Sequence, residues 1–427
     1  MNLEALLLSL HLDPALATFF GPHWESSLAA LPAGGPDWLA DDAVVASRRF
    51  VGLEPRYDAP LLAAAGAVRA DAALALLAWH AARLAFEHQD YDLAQAQSWP
   101  DLSATLGEHA PLFYLLVAFQ AVPHLQRAHG RRGIPVDVSR ATCTHYLECT
   151  SLYSLTHAGR LGVRPAMLGW LRHHTSGELC CLGRMEYMVK PFRGRLRAFR
   201  QRESGLVVAL ADNGATFADS GLGPLPARPG AAADVWMALL EPAAHEVSGH
   251  PIAPDGRALR QRVTLDLRRW TPVLAPGDFI LETHIPPGGG LTPTRCAESM
   301  RAALEFFPRH FPEHPFAGFA CDSWVLNPEL SEILSPTSNP VLWQRELYLF
   351  PLPSDGREGL QFIFGRDDVD PATAPRDTGL RRALLDQLAA GKPLRAGGMF
   401  CLPAEVAEFG TQPYRRRWPA VQAALNL

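Results

Sequence analysis

Glu282 and His284 stand two residues apart in the apolar run Phe279-Ile280-Leu281-Glu282-Thr283-His284-Ile285. Alternate residues of a strand project from one face, so this run sets a carboxylate and an imidazole side by side. Both groups can hold a proton near neutral pH, the carboxylate when burial raises its pKa. Either residue would serve as a base, directly or through a water. In the competing structural reading, His284 caps the next loop and Glu282 pairs with an arginine.

The residues C-terminal to this run give the pair a context. Pro286 and Pro287 end the strand, and Gly288-Gly289-Gly290 come next. Thr292 occupies an N-cap position with Pro293 at the first helical residue. Cys296, Met300, Ala303, Leu304 and Phe307 then recur at helical spacing on one face. A helix N-terminus carries unpaired N–H groups and partial positive charge, and glycines let a phosphate approach the backbone. Ile285, Gly288, Gly289, Gly290, Leu291, Thr292, Thr294 and Arg295 therefore form a candidate cradle for a pyrophosphate, such as that of coenzyme A or a nucleotide. A glycine loop alone also suits an ordinary tight turn before a core helix.

The elements around this unit define an α+β chain of 427 residues, long enough for two domains. Residues 1–165 are rich in Ala and Leu and read as helices, among them 72–87, 112–126 and 138–157, the last capped by Asp137 or Ser139. The texture changes near residues 159–165, so a second domain is expected over 166–427. There, strand-like runs cover 178–189, 196–201, 206–210, 262–267 and 278–285, interrupted by a Pro/Gly-rich loop at 221–230. Beyond the helix come a strand at 317–326, a short helix at 328–334, strands at 341–350 and 359–365, and a helix at 381–390.

A net charge of −5 opposes a dedicated nucleic-acid binder, and Arg415-Arg416-Arg417 reads as a solvated turn. Seven scattered cysteines without a CxxC pair fit reduced thiols and a cytoplasmic setting. The start of the chain lacks a basic flank, so it reads as a short helix and not a signal peptide; no membrane span is expected. His245-Glu246 and His250 miss the zincin spacing by one residue and read as a loop. His173-His174 read as surface residues and Asp367-Asp368-x-Asp370 as an acidic turn, leaving no metal site expected.

The order strands, helix, strand, helix, two strands resembles the second half of the GCN5-related N-acetyltransferase (GNAT) fold. More closely, the chain resembles bacterial two-domain acyltransferases with a helical N-acyltransferase N-terminal domain and a GNAT-like C-terminal domain. The resemblance rests on His284-Ile285-Pro286, Gly288 and Leu291, then Cys296, Ser299 and Phe306-Phe307. It continues through Gly318-Phe319, Cys321, Ser323-Trp324, Leu326 and Pro328, Ser338-Asn339, and Asp377-Thr378 with Leu380 and Ala383. It implies central strands that splay apart, with acyl-CoA (acetyl-CoA or longer) in the gap and its pyrophosphate on the glycine loop. Two departures stand out: Ile285 replaces the usual Gln/Arg of the loop, and residues 328–334 lack a general-acid tyrosine.

The resemblance implies direct transfer of an acyl group to an amine, on a small molecule or a peptide, without a metal. Glu282 or His284 would deprotonate the amine, and a backbone N–H of the splayed strand would polarise the thioester. Cys321 or Ser323, which alternate with Ala320 and Asp322, would protonate the leaving thiolate. The helical domain would shape the acceptor pocket. The rival expectation is a non-catalytic GNAT-like ligand-binding or scaffolding module.

Overall fold

The computed structural model describes residues 1–226, 235–288 and 290–427. Gly289 and part of the 221–230 loop lie outside the described residues. The chain divides into two compact units, Met1–Cys181 and Leu182–Leu427.

The first unit is helical because its apolar residues recur at three and four with few β-branched interruptions. Its centre is the helix Ala110–Phe119, of whose ten residues nine are buried, packed with Ala72–Phe86. Such all-round burial suits a helix enclosed by others. The expected helix at 112–126 is two, Ala110–Phe119 and Ala121–Arg131, broken at Gln120. Pro123 in the first turn of the second lacks an N–H, which costs nothing at a helix start but would break a continuous one. The expected 138–157 helix likewise splits at Cys143 into Val136–Thr142 and Thr144–Thr156. Neither Asp137 nor Ser139 is the cap: Asp137 lies in the first turn, and Ser139 Oγ bonds His129. The helix Leu168–Ser176 packs on Ala121–Arg131, so the helical unit runs past the change of texture at 159–165. Among the described residues no single helix is long and apolar enough to cross a membrane.

The second unit is built on a six-stranded sheet: β1 (Cys180–Leu182), β2 (Met185–Pro191), β3 (Phe279–His284), β4 (Phe319–Ser323), β5 (Tyr348–Pro351) and β6 (Gly397–Cys401), in the order β1-β2-β3-β4-β6-β5. The division between units falls within β1. Strand β3 pairs antiparallel with β2 over six residues and parallel with β4. The helix Pro293–His310 covers one face, where Tyr187, Phe307 and Phe319 meet edge to face. On the other face a five-stranded sheet packs near β5 and β6: Ala209 N–H donates to Tyr348 Oη (3.1 Å), and the Tyr348 ring stacks on Phe400.

Two strand expectations fail here. Residues 341–345 belong to the helix Asn339–Arg345, begun by Pro340, and only Tyr348–Pro351 is extended. Residues 359–365, expected as a strand, form the helix Leu360–Phe364, closed at both ends by left-handed glycines, Gly359 and Gly365. That helix buries Leu360 in a small cluster with Leu330, Leu384 and Leu394. In both places the apolar run is too short for its period to decide its state. Residues 415–417 belong to the helix Pro413–Leu425, where Arg416 and Arg417 pair with Glu408.

Candidate active site

The parallel pairing of β3 and β4 is brief. Leu281 faces Phe319 and Glu282 faces Ala320, and there the register ends, though β3 runs on to His284 and β4 to Ser323. Leu281 N–H donates to Gly318 O across this pair (2.8 Å). The Glu282–Ala320 pair uses the Thr283 N–H as well, and the next N–H on that side, that of Ile285, lies past the end of the pairing. The sheet therefore opens into a V beyond this pair.

Register fixes which side chains share this opening. Residues paired across strands project from the same face. Glu282, His284, Ala320 and Asp322 thus occupy one face, opposite the Pro293–His310 helix. His284 Nε2 lies 3.2 Å from Glu282 Oε2, so the two expected base candidates are hydrogen-bonded to each other. Both are partly exposed. Asp322 joins them from the facing strand. Its carboxyl is pushed up to about 6, first by the protein mass that crowds out bulk water and then by the negative charge of Glu282. More than a third of Asp322 is nevertheless accessible, because it lines a recess. Crowding sets the solvation of such a group, so a raised pKa and an open surface coexist. In sequence Asp322 is only an alternating residue of the strand; its raised pKa comes first from the crowding of the fold around it and then from Glu282 on β3.

Cys321 and Ser323 fall on the opposite face, out of phase with Asp322. The Cys321 thiol is buried, and burial pushes its pKa well above the usual range. Ser323 Oγ accepts from Val325 N–H and caps the turn Trp324–Leu326. Neither is gathered with Glu282 and His284.

The strand leads into the glycine loop and a capped helix. The Thr292 hydroxyl accepts from Arg295 N–H (3.4 Å), and Pro293 opens the helix. Gly288 and Gly290 both have positive φ, +87° and +68°. Leu291 is buried beneath the loop, Ile285 is half-buried at its start, and Thr294 and Arg295 are exposed on the first helical turn. Arg184 has no motif around it to mark it in the sequence. From the turn before β2 it donates through Nη1 to Pro286 O (2.6 Å) and through Nε to Gly290 O (2.8 Å), clamping both ends of the loop. Those bonds hold two loop carbonyls on the Arg184 side. Ser299 ties the same turn to the helix by bonding Met185 N (3.2 Å) and Tyr187 Oη (2.8 Å).

This splayed sheet with its capped helix matches what sequence comparison finds. The pattern of the GNAT-like C-terminal domain matches residues 179–400, more than half of the chain. The chain belongs to the GNAT-like C-terminal domain family. Residues 47–177 match the N-acyltransferase N-terminal domain. No curated protein matches the sequence. Similar solved structures include a mutant acyltransferase in complex with octanoyl-CoA, 23% identical with a TM-score of 0.62, covering 94% of this chain and 100% of the other. An acyltransferase in complex with CoA and 10C-teicoplanin is 21% identical, TM-score 0.63, covering 94% and 99%. Another, with decanoyl-CoA and teicoplanin, is 22% identical, TM-score 0.62, covering 94% and 99%. At these identities the likeness is one of fold, and it spans both the N-acyltransferase and GNAT-like domains.

His174, expected at the surface, is fully buried; its Nε2 lies 3.1 Å from Thr142 O, and burial lowers its pKa to about 3. Glu246 opens the strand Glu246–Gly249, while His245 and His250 flank it outside the strand. In the helical unit, ligand atoms of His23, His88 and Asp90 lie within 4.8 Å of one another. The two imidazoles stack 3.8 Å apart at 9°, however, so their nitrogen lone pairs run side by side and do not converge on one ion.

Proposed function

We propose that this chain is an acyl-CoA-dependent acyltransferase that moves the acyl group to an amine by direct transfer. One observation carries the reading: the Glu282, His284 and Asp322 side chains share the open face of splayed strands that lead directly into a capped glycine loop. In this reading, amides of the loop and of the first helical turn hold the pyrophosphate. The acyl-pantetheine arm lies along β3 in the V. The acyl-CoA complexes among proteins of like fold support this placement.

Glu282 or His284 takes a proton from the acceptor ammonium. The freed amine nitrogen attacks the thioester carbon, and the resulting oxyanion meets the Ile285 N–H, the first on that side past the paired residues. As the C–S bond breaks, the thiolate takes the proton held on the same carboxylate–imidazole face, and the surplus proton of the acylated nitrogen passes to the base so freed. A base within hydrogen-bond reach contributes about 10²–10⁴-fold to such a transfer. Octanoyl, decanoyl and acetyl groups are all donors to be tried; the acceptor is a small molecule or peptide bearing an amine.

The test is thiol release from acetyl-, octanoyl- and decanoyl-CoA with an amine panel, with the acylated product identified by mass spectrometry. Turnover that falls at least 100-fold in both Glu282→Gln and His284→Ala supports the assignment. Turnover left intact by both substitutions removes these residues from catalysis. An absence of calorimetric heat with saturating acyl-CoA defeats the proposal as a whole.

A further inference from the structure

In the C-terminal unit, the six-stranded and five-stranded sheets and the strand Thr216–Ala218 line a recess of about 210 Å³ that the transfer chemistry does not itself require. Asp322, Phe350, Thr216, Phe217, Arg193 and Arg195 are among the residues that line it. Its floor is set by register. Asp322 pairs with Gly398 on β6, and Gly398 pairs with Phe350 on β5. A Cβ at residue 398 would come within 2.1 Å of the Phe350 ring, so the glycine lets that ring lie flat over the strand beside Asp322. Phe192 meets the ring edge-on at 6.2 Å and holds it there.

The lining is polarised. One carboxylate lies inside the recess next to an aromatic wall, a combination that suits an alkylammonium group. Two guanidinium groups stand at the rim. Arg195 is fixed by a bond from Nη2 to Asn213 O (3.0 Å), and Arg193 is exposed. The volume equals about seven water molecules in the liquid, enough for an amine with a few carbons and not for a large scaffold.

We propose that this recess is the acceptor's amine-end site, that Asp322 anchors the ammonium, and that the Arg193/Arg195 rim favours amines carrying a nearby acidic group. The inference rests on the acyltransferase reading and adds a binding site and a substrate class to it. The acceptor enters with its amine against Asp322 and Phe350, one strand from Glu282, and its acidic group stays outside at the arginines. The remainder of the acceptor projects beyond the recess.

The experiment measures steady-state kinetics for matched amines with and without a carboxylate, alongside calorimetric acyl-CoA affinity. The variants are Asp322→Asn, Thr216→Trp, which fills the recess, and Arg193→Ala combined with Arg195→Ala. The expected result is a KM for amine raised at least tenfold in the first two, with acyl-CoA affinity within twofold of the wild type. The double arginine variant should lose the preference for the carboxylate-bearing amine. If wild-type turnover is present but Asp322→Asn and Thr216→Trp both leave the amine KM within twofold, the recess is not the acceptor site and the acyltransferase reading stands. If the wild-type chain neither binds nor consumes acyl-CoA, the acyltransferase reading falls and this inference falls with it.

Discussion

Glu282 and Asp322 project from the same face of two neighbouring parallel strands whose pairing ends between them, so one carboxylate feels the charge of the other. The whole of the Pro293–His310 helix separates them in the chain. The pair places an electrostatic handle beside the V that acyl-CoA is proposed to occupy.

Activity should depend on pH through this pair. Asp322 ionises near pH 6, so its anion is present above that value and lost below it. kcat/KM for the amine should therefore fall as pH drops through about 6. Removing the Glu282 charge relieves the repulsion that raises Asp322, so in Glu282→Gln the residual activity should show this limb at lower pH. A pH–rate profile of both proteins checks the shift; an unmoved limb would show that the carboxylates are not coupled.

Arg184 should control donor affinity without touching the reacting atoms. Its guanidinium spans Pro286 O and Gly290 O, a geometry that a lysine ammonium cannot reproduce. Arg184→Lys should weaken acyl-CoA binding by about tenfold, roughly 1.4 kcal/mol. Isothermal titration reads this directly, and the far-UV circular dichroism spectrum should stay the same.

Gly290 adopts φ +68°, and a Cβ there would approach Asn339 Nδ2 at 3.3 Å. Gly290→Ala forces an L-residue into the left-handed region at a cost of about 1–2 kcal/mol. The loop should shift, and both melting temperature and acyl-CoA affinity should drop, measured by differential scanning fluorimetry with and without the donor.

Stability of the helical unit should depend on pH through His80 and His174, which are buried, and His145, which is half-buried. Burial lowers His80 and His145 to about 4 and His174 to about 3, from 6.5. The unfolded chain takes up these protons first. Stability is therefore full above about pH 6.5 and declines as pH falls through the window down to the folded values. Each group contributes a slope of about 1.4 kcal/mol per pH unit. Urea unfolding between pH 4 and pH 8 measures it, and His174→Gln should flatten the slope.

Cys321 should not carry the acyl group. Its thiol is buried and held protonated. Intact mass spectrometry after incubation with acyl-CoA alone should show no added acyl mass. A covalent adduct at Cys321 would replace direct transfer by a two-step route.

The local part of the site is legible in the sequence because its signals lie close together in the chain. Thr292 caps the helix, prolines end the strand, and Glu282 and His284 alternate onto one face, all from spacing alone. Arg184 is not legible, since it meets the loop from 102 and 106 positions away and its neighbours carry no pattern. The short apolar runs at 341–345 and 360–364 read as strands but fold as helices, because so few residues do not reveal a period.

By itself the sequence determined a helical unit followed by an α+β unit, the strand–glycine loop–helix corner, and the pairing of a carboxylate with an imidazole on one strand. These arise from torsional preference and periodicity, which act over a few residues. Only the tertiary structure decided that β3 and β4 part after Glu282, that Asp322 faces Glu282 while Cys321 turns away, and that Phe350 lies over Gly398 beside a recess. Those depend on register between distant strands, where a shift of one residue turns every side chain to the other face.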